Sequence, residues 1–117
     1  AESVLLATLH AAKGLEFKAV FVVGCEEKLL PLAPFIKLPP AKEQEHIIEE
    51  RRLFFVGMTR AAQVLYLTGA KKRYTFAGLR QHAPSRFLAD IPPRLLHDPP
   101  LPAPRKKKVL GKQLKLF

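Results

Sequence analysis

The sequence predicts an α/β fold in which a parallel sheet is flanked by helices and followed by a flexible basic tail. Three short runs are almost entirely apolar, which is typical of strands buried on both faces. A longer segment without proline has apolar residues at helical spacing. Prolines cluster between these segments and near the end, where they disfavour regular structure. A chain of 117 residues has room for one modest domain.

The predicted strands are the three apolar runs Val4–Thr8, Ala19–Gly24 and Val64–Thr68. Each run is short, bounded by polar residues or glycine, and apolar almost throughout rather than alternating. Strands of this kind suit a sheet covered on both faces, which favours parallel pairing.

One helix is predicted between the second and third strands. The segment Glu26–Pro40 holds four prolines and is predicted to be a long surface connection. Ala41–Ala62 has apolar residues at intervals of three, four and seven, the pattern of an amphipathic helix. Gly57 lies inside this helix and costs about 1 kcal/mol relative to alanine. We therefore expect the helix to break or tighten there and to present Thr59 and Arg60 at its end.

The last part of the chain changes in composition. Lys71–Phe76 is predicted to form a basic turn or short extension, and Ser85 to cap a final helix that runs to Ile91. Beyond this helix the sequence is rich in proline and lysine, which is typical of a linker and tail. The sequence thus predicts a domain at 1–92 and a tail at 93–117.

Composition restricts the partners and the compartment. A formal net charge of +10 favours a polyanionic partner such as nucleic acid. The single cysteine, Cys25, cannot form an internal disulfide, and it is predicted to fill the core in a reducing compartment. Because the sequence has neither a long apolar run nor a leader-like start, we expect a cytosolic protein without a membrane partner.

Polar and basic side chains follow the first predicted strand. Thr8, His10, Lys13 and Gly14 would lie at the carboxyl edge of a sheet, where α/β proteins bind ligands. The Lys13-Gly14 pair lacks the upstream glycine and the residue order of a P-loop. From the residues alone, either a ligand site or a capped turn would explain His10.

Arg60 follows a helix that begins with acidic residues. An arginine on a rigid element can donate two parallel hydrogen bonds to a phosphate and always keeps its charge, which suits an arginine finger. The alternative is a cation that interacts with the negative end of the helix dipole. The residues alone leave both interpretations open.

Two segments resemble signature motifs of one enzyme family. Thr8–Phe17 is similar to motif V, and Glu50–Ala61 to motif VI, of the UvrD/Rep/PcrA-type DNA helicases of superfamily 1. The third predicted strand and Pro84–Leu88 resemble the close of their second RecA-like domain. The resemblance covers roughly residues 2–92 and implies part of a RecA-like, P-loop NTPase-type domain.

The resemblance also implies roles for single residues. The second RecA-like domain of such helicases donates an arginine to the γ-phosphate of ATP, which by match is Arg60. Glu16 would approach the nucleotide and couple it to DNA, and Gly14 would permit the close turn between these duties. The residues matched to the DNA contact follow the first predicted strand and are Thr8, His10 and Lys13. For Arg51 and Arg52 we expect one of them to pair with Glu49 or Glu50 within the helix, or with an acidic group of the N-terminal half of such an enzyme.

As a whole, the resemblance implies the C-terminal part of a helicase that couples hydrolysis of ATP with Mg²⁺ to movement along single-stranded DNA, 3′ to 5′, in DNA repair or replication. The expected location is the bacterial cytoplasm at the nucleoid. Because the sequence lacks a Walker A motif and an acidic metal-binding pair, we expect no ATP hydrolysis by this chain alone. ATP and Mg²⁺ would be bound mainly by N-terminal helicase domains. The alternative is a non-enzymatic module that binds DNA or a sliding clamp.

The last five residues form a second candidate site. Gln113–Phe117 resembles the pentapeptide by which bacterial repair proteins bind the sliding clamp. A glutamine amide for orientation and apolar side chains for a pocket suit a weak, reversible contact. The predicted partner-binding residues are Gln113, Leu114, Leu116 and Phe117. The alternative is a solvated basic terminus that adds nonspecific affinity for DNA.

Overall fold

The computed structural model describes residues 3–98. Five helices and strands follow in the order β1 Phe17–Val22, α1 Pro40–Met58, β2 Ala61–Leu67, β3 Lys72–Thr75 and β4 Gly78–Gln81. Two short 3-10 helices follow at Arg86–Asp90 and Pro93–Leu95. The predicted tail at 93–117 lies mostly outside the described residues, and the domain boundary near residue 92 stays a prediction.

The strands β1 and β2 form a parallel sheet and are connected through α1. Their register pairs Val20 with Leu65 and Val22 with Leu67. These four side chains pack in or against the core, whereas the intervening Phe21 is 63% exposed. The small α/β fold and the parallel pairing of these two predicted strands are therefore confirmed.

The prediction of a strand at Val4–Thr8 is wrong. Residues 3–8 have no regular structure, and Val4 and Leu6 are 96% and 93% exposed. A strand requires a neighbour for its backbone hydrogen bonds, and within residues 3–98 no segment pairs with this run. An apolar composition alone does not supply such a neighbour, so the parallel sheet has two strands in the described part of the chain, not three.

The segment predicted to be a basic turn or extension forms part of a second sheet. β3 and β4 pair as an antiparallel hairpin around a two-residue turn at Phe76–Ala77. The final helix is a 3-10 helix, and Ser85 caps it as predicted, with its hydroxyl accepting a hydrogen bond from Phe87 N.

The amphipathic helix is confirmed, with its end four residues earlier than predicted. α1 begins at Pro40, where proline fits because the first helical amides lack partners in any case. It ends at Met58, one residue after Gly57, and Thr59 and Arg60 follow in a turn as expected. No other α-helix occurs within residues 3–98, so helical cover on both faces of the sheet is not seen there.

The core lies between the β1–β2 sheet, α1 and the first 3-10 helix. Its buried apolar residues come from every layer and are Val22, Cys25, Leu30, Phe54 and Phe87. The rings of Phe54 and Phe87 stack with centroids 6.0 Å apart. Cys25 is 2% exposed, as predicted for a core residue, and burial raises the pKa of its thiol.

The connection between β1 and α1 has no helix or strand, as its prolines predict. It is nevertheless held at several points. Leu30 is buried and its carbonyl accepts a hydrogen bond from Ser85 Oγ. Two residues of α1 contact the backbone of Leu32. Glu50 Oε2 accepts a hydrogen bond from the Leu32 amide at 3.0 Å, and His46 Nε2 lies 2.6 Å from the Leu32 carbonyl oxygen.

Candidate functional site

The segment between residues 8 and 15 is a capped turn. Thr8 Oγ1 accepts a hydrogen bond from Ala11 N, and Thr8 O accepts one from Ala12 N, both at 3.1 Å. The capped-turn interpretation of this segment is therefore correct as local structure. The predicted place at the carboxyl edge of a sheet is wrong, because in the described residues no strand ends at Thr8 and the turn precedes β1. The side chains of Thr8, His10 and Lys13 are all exposed on this turn. Because the Thr8 hydroxyl uses only acceptor capacity in the cap, its hydrogen can still be donated.

Gly14 closes the turn in a left-handed conformation with φ +81°. A Cβ at this position would meet nothing within 4 Å, so backbone conformation and not space explains the glycine. The chain then passes through Leu15 and the exposed Glu16 into β1. Gly14 thus sets the direction in which the turn enters the sheet.

Arg60 links the end of α1 to this turn. Its Nη1 donates to Leu15 O at 3.1 Å, and its Nε donates to Val56 O at 3.2 Å. Nη2 donates to Thr59 Oγ1 at 3.2 Å. The backbone follows the same path, since Phe17 N donates to Arg60 O at 2.8 Å. These bonds use three of the five guanidinium N–H donors and leave two for a ligand.

A second contact between the same segments is made by Leu9. A Cβ built on Gly57 would lie 2.5 Å from Leu9 Cδ2, so any larger residue at this position would have to displace the Leu9 side chain. The sequence marked Gly57 as a weak point of the helix. The structure shows that it is also a packing position.

The fold thus brings Arg60 next to the predicted nucleotide-contact segment at Gly14 and Glu16, but not next to the predicted DNA-contact residues. Arg60 contacts the backbone between Gly14 and Glu16, although these residues are 44 to 46 positions away in sequence. Thr8 and His10 lie at the other end of the turn and make no side-chain hydrogen bond to Arg60 within residues 3–98. The turn between them is therefore the connection between the two predicted contact regions.

The two other arginines of this segment are paired within the chain. Arg52 Nη1 lies 2.7 Å from Glu49 Oε1, which confirms the pairing expected within the helix. Arg51 Nε lies 3.2 Å from Asp90 Oδ2, and its guanidinium lies 5.3 Å from the centre of the Phe87 ring. Arg51 therefore holds the first 3-10 helix against α1.

The structure also shows a buried ion pair that the sequence did not predict. Glu26 is 2% exposed, and its carboxylate accepts hydrogen bonds from Arg73 Nε at 3.0 Å, Arg73 Nη2 at 2.7 Å and Ala70 N at 2.7 Å. These bonds lower the pKa of the Glu26 carboxyl to about 2, with the Arg73 side chain as the largest cause. No local pattern could have indicated this pair, because its members are 47 residues apart.

The β3–β4 hairpin presents aromatic side chains to solvent. Tyr74 is 83% exposed and Phe76, at the turn, is fully exposed. Lys72 and Arg80 are exposed cations of the same hairpin, and the exposed Lys71 directly precedes β3. The three basic residues of Lys71–Phe76, followed by two aromatic residues, are the signal that could have identified this surface.

The donors of the site fit part of a nucleotide. The two remaining N–H groups of Arg60 suit phosphate oxygens. Within residues 3–98 no group of three histidine, cysteine, aspartate or glutamate side chains is placed to hold a metal ion. Nor does any helix there have the length and apolarity needed to cross a membrane.

A parallel α/β core thus joins the exposed turn to the anchored Arg60 and brings the two helicase-like segments together. Comparison with known proteins agrees. The sequence model of the UvrD-like helicase C-terminal domain matches residues 1–72, and the chain belongs to this family.

Similar proteins include several ATP-dependent DNA helicases named PcrA. That of Bacillus subtilis (strain 168) is 46% identical over 97 residues, which are 83% of this chain and 12% of the relative. That of Staphylococcus aureus (strain Mu50 / ATCC 700699) is 45% identical over 95 residues, 81% of this chain and 13% of the relative. That of Staphylococcus epidermidis (strain ATCC 12228 / FDA PCI 1200) is 47% identical over 93 residues, 80% of this chain and 12% of the relative. The chain thus spans about one eighth of the length of these relatives.

Proposed function

We propose that this chain supplies the C-terminal part of the second RecA-like domain to an ATP-dependent DNA helicase. The observation that carries the proposal is the contact of Arg60 with Leu15 O, which joins the two helicase-like segments in one structure. In this role Arg60 contacts the γ-phosphate and Glu16 approaches the nucleotide. The turn that contains Gly14 transmits movements of these two residues to the DNA-contact residues.

The anchoring of Arg60 supports its role as an arginine finger. Two backbone carbonyls and the Thr59 hydroxyl hold the guanidinium, so its orientation is set before a phosphate arrives. A donor that needs no reorganisation stabilises developing negative charge more effectively than a mobile one. Arg60 thereby acts on the terminal phosphate of ATP held mainly by N-terminal domains, together with Mg²⁺.

The same bonds provide a path for coupling. Displacement of Arg60 would pull on Leu15 O, and the turn would transmit the movement through Gly14 to its exposed end. There, Thr8, His10 and Lys13 contact the backbone of single-stranded DNA. Movement along the DNA strand, 3′ to 5′ as the resemblance implies, follows when the nucleotide contact at one end of this turn and the DNA contacts at the other end alternate.

The hairpin adds a second DNA-contact surface. Exposed aromatic rings beside cations suit nucleic acid, because bases stack on the rings while the cations approach phosphates. Tyr74 and Phe76 provide the rings, and Lys71, Lys72 and Arg80 the charges. A protein with these partners would act in DNA repair or replication, in the bacterial cytoplasm at the nucleoid.

The experiment is a chimera in which this chain replaces the matching segment of the Bacillus subtilis helicase. We expect DNA-stimulated ATP hydrolysis in the chimera and none by the 117-residue chain alone. Arg60→Ala should lower kcat by about a thousandfold or more. Arg52→Ala is the matched control, because it removes an exposed arginine of α1 whose salt bridge in the described part of the chain is with Glu49.

The control should change kcat by no more than about threefold, as for an exposed ion pair. Equal losses in both variants would show that Arg60 has no special role. Hydrolysis by the isolated chain would contradict the proposed division between the N-terminal domains and this part.

A non-enzymatic module that binds DNA is the second candidate, favoured by the net charge of +10 and the basic hairpin. In that case the chimera would be inactive, while the chain alone would bind single-stranded DNA with an affinity that falls steeply with salt.

The clamp-binding peptide Gln113–Phe117 lies outside the described residues and stays a separate prediction. Leu116→Ala with Phe117→Ala should abolish retention of the chain on immobilised clamp, whereas Lys112→Ala should not. Unchanged retention of the double variant on the immobilised clamp would contradict the prediction.

A further inference from the structure

The β3–β4 hairpin has few means of holding its own orientation. Its strands have four residues each, and within residues 3–98 they pair only with one another. An isolated two-stranded hairpin is at best marginally stable in water. Its placement on the protein therefore depends on contacts at its base.

One cross-strand pair of side chains also destabilises the hairpin. Arg73 on β3 lies directly opposite Arg80 on β4, and like charges in this position are destabilising. The Glu26 carboxylate binds Arg73 through two hydrogen bonds and Ala70 N through a third. Glu26 thus supplies the opposite charge and fixes the backbone just before β3.

The geometry points to a positioning role for this pair. We propose that Glu26 and Arg73 fix the orientation of the hairpin and so determine where Tyr74 and Phe76 meet DNA bases. Successive side chains on a strand point to opposite faces, so binding Arg73 to the body directs Tyr74 away from it. The burial of Glu26 at 2% and the 83% exposure of Tyr74 agree with this arrangement. The inference rests on the proposed DNA contact of the hairpin.

A fluorescent reporter at the turn tests the positioning directly. The full 117-residue chain has no tryptophan, so Phe76→Trp introduces a single emitter. In this background, Glu26→Gln and Arg73→Lys should both lower the fluorescence anisotropy, because each removes part of the two-bond contact. Circular dichroism would show whether Glu26→Gln folds. If it does not, Arg73→Lys, which keeps the positive charge, tests the positioning of the hairpin in its place.

The matched control is Glu27→Gln. Glu27 is the neighbouring residue and pairs with Arg86 in a similar way, but it holds the first 3-10 helix and not the hairpin. In the Phe76→Trp background, Glu27→Gln should leave the fluorescence anisotropy unchanged. Unchanged anisotropy in Glu26→Gln and Arg73→Lys, or an equal fall in Glu27→Gln, would overturn the proposal.

Binding of labelled oligo(dT) separates this inference from the proposed function. Phe76→Ala should weaken binding about tenfold, the effect of losing one stacked base. Glu26→Gln should weaken binding too, but it should cause no further loss in a chain that already carries both Tyr74→Ala and Phe76→Ala. Additive losses would overturn the positioning role in DNA binding. If Phe76→Ala leaves binding unchanged, the proposed DNA contact fails, while the anisotropy still decides whether the pair positions the hairpin.

Discussion

The pH dependence of stability provides a quantitative test of the Glu26–Arg73 pair. The pKa of the Glu26 carboxyl falls from the ordinary 4.5 to about 2 in the folded chain, first because Arg73 donates to it and then because Ala70 N does. A lowered carboxyl pKa means that the contribution to stability is fully present above about pH 4.5. It is lost as pH falls toward 2.

The magnitude follows from the same values. A fall from 4.5 to about 2 corresponds to about 3 kcal/mol if fully realised. The Arg73 side chain is 39% exposed, so solvent screening reduces the expected contribution to about 1–2 kcal/mol. Glu26→Gln should therefore lower the free energy of unfolding by about this amount at pH 7.

The assay is urea unfolding of the wild-type chain and Glu26→Gln between pH 7 and pH 2.5, followed by circular dichroism. Taking the difference between the two proteins at each pH cancels the titration of all other groups. The difference should be constant above about pH 5 and shrink steadily below it. A difference of the same size at pH 2.5 and pH 7 would refute the assignment of a charged, hydrogen-bonded Glu26 carboxylate.

Three further experiments test the packing and the turn. Phe87→Ala should cost about 3–5 kcal/mol in urea unfolding, because Phe87 is 1% exposed and stacks on Phe54; a cost below about 1 kcal/mol would contradict this core. Gly57→Val should destabilise the chain by displacing Leu9, and Leu9→Ala should relieve much of that cost in the double variant; simple additivity would refute the contact. Gly14→Ala should cost about 1–2 kcal/mol from conformation alone, and a stabilising effect in the same assay would contradict the left-handed turn.

Local patterns predicted the elements that local forces form. The apolar runs that became β1 and β2 were evident because each strand is short, β-branched and bounded. α1 was evident from its spacing, and Ser85 from its position before a short helical turn. Failure came where an element depends on a distant partner: Val4–Thr8 has strand composition but no neighbouring strand in the described part of the chain.

The candidate site divides in the same way. The two motif-like segments identified Gly14, Glu16 and Arg60 as residues of interest, and the left-handed turn explains why a glycine stands at position 14. Their mutual placement could not be predicted from spacing, because Leu15 and Arg60 are 45 residues apart and meet through a backbone carbonyl that any residue would provide.

By itself, the sequence determined the family, the parallel pair of strands, the helix between them and the basic character of the surface. These features depend on residue identity and on periods of two to seven residues. Tertiary structure alone decided that Arg60 is anchored to the turn, that Leu9 packs on Gly57 and that Glu26 holds the hairpin through Arg73. The physical reason is that each of these contacts joins residues more than forty positions apart, so its energy depends on chain folding and leaves no local pattern.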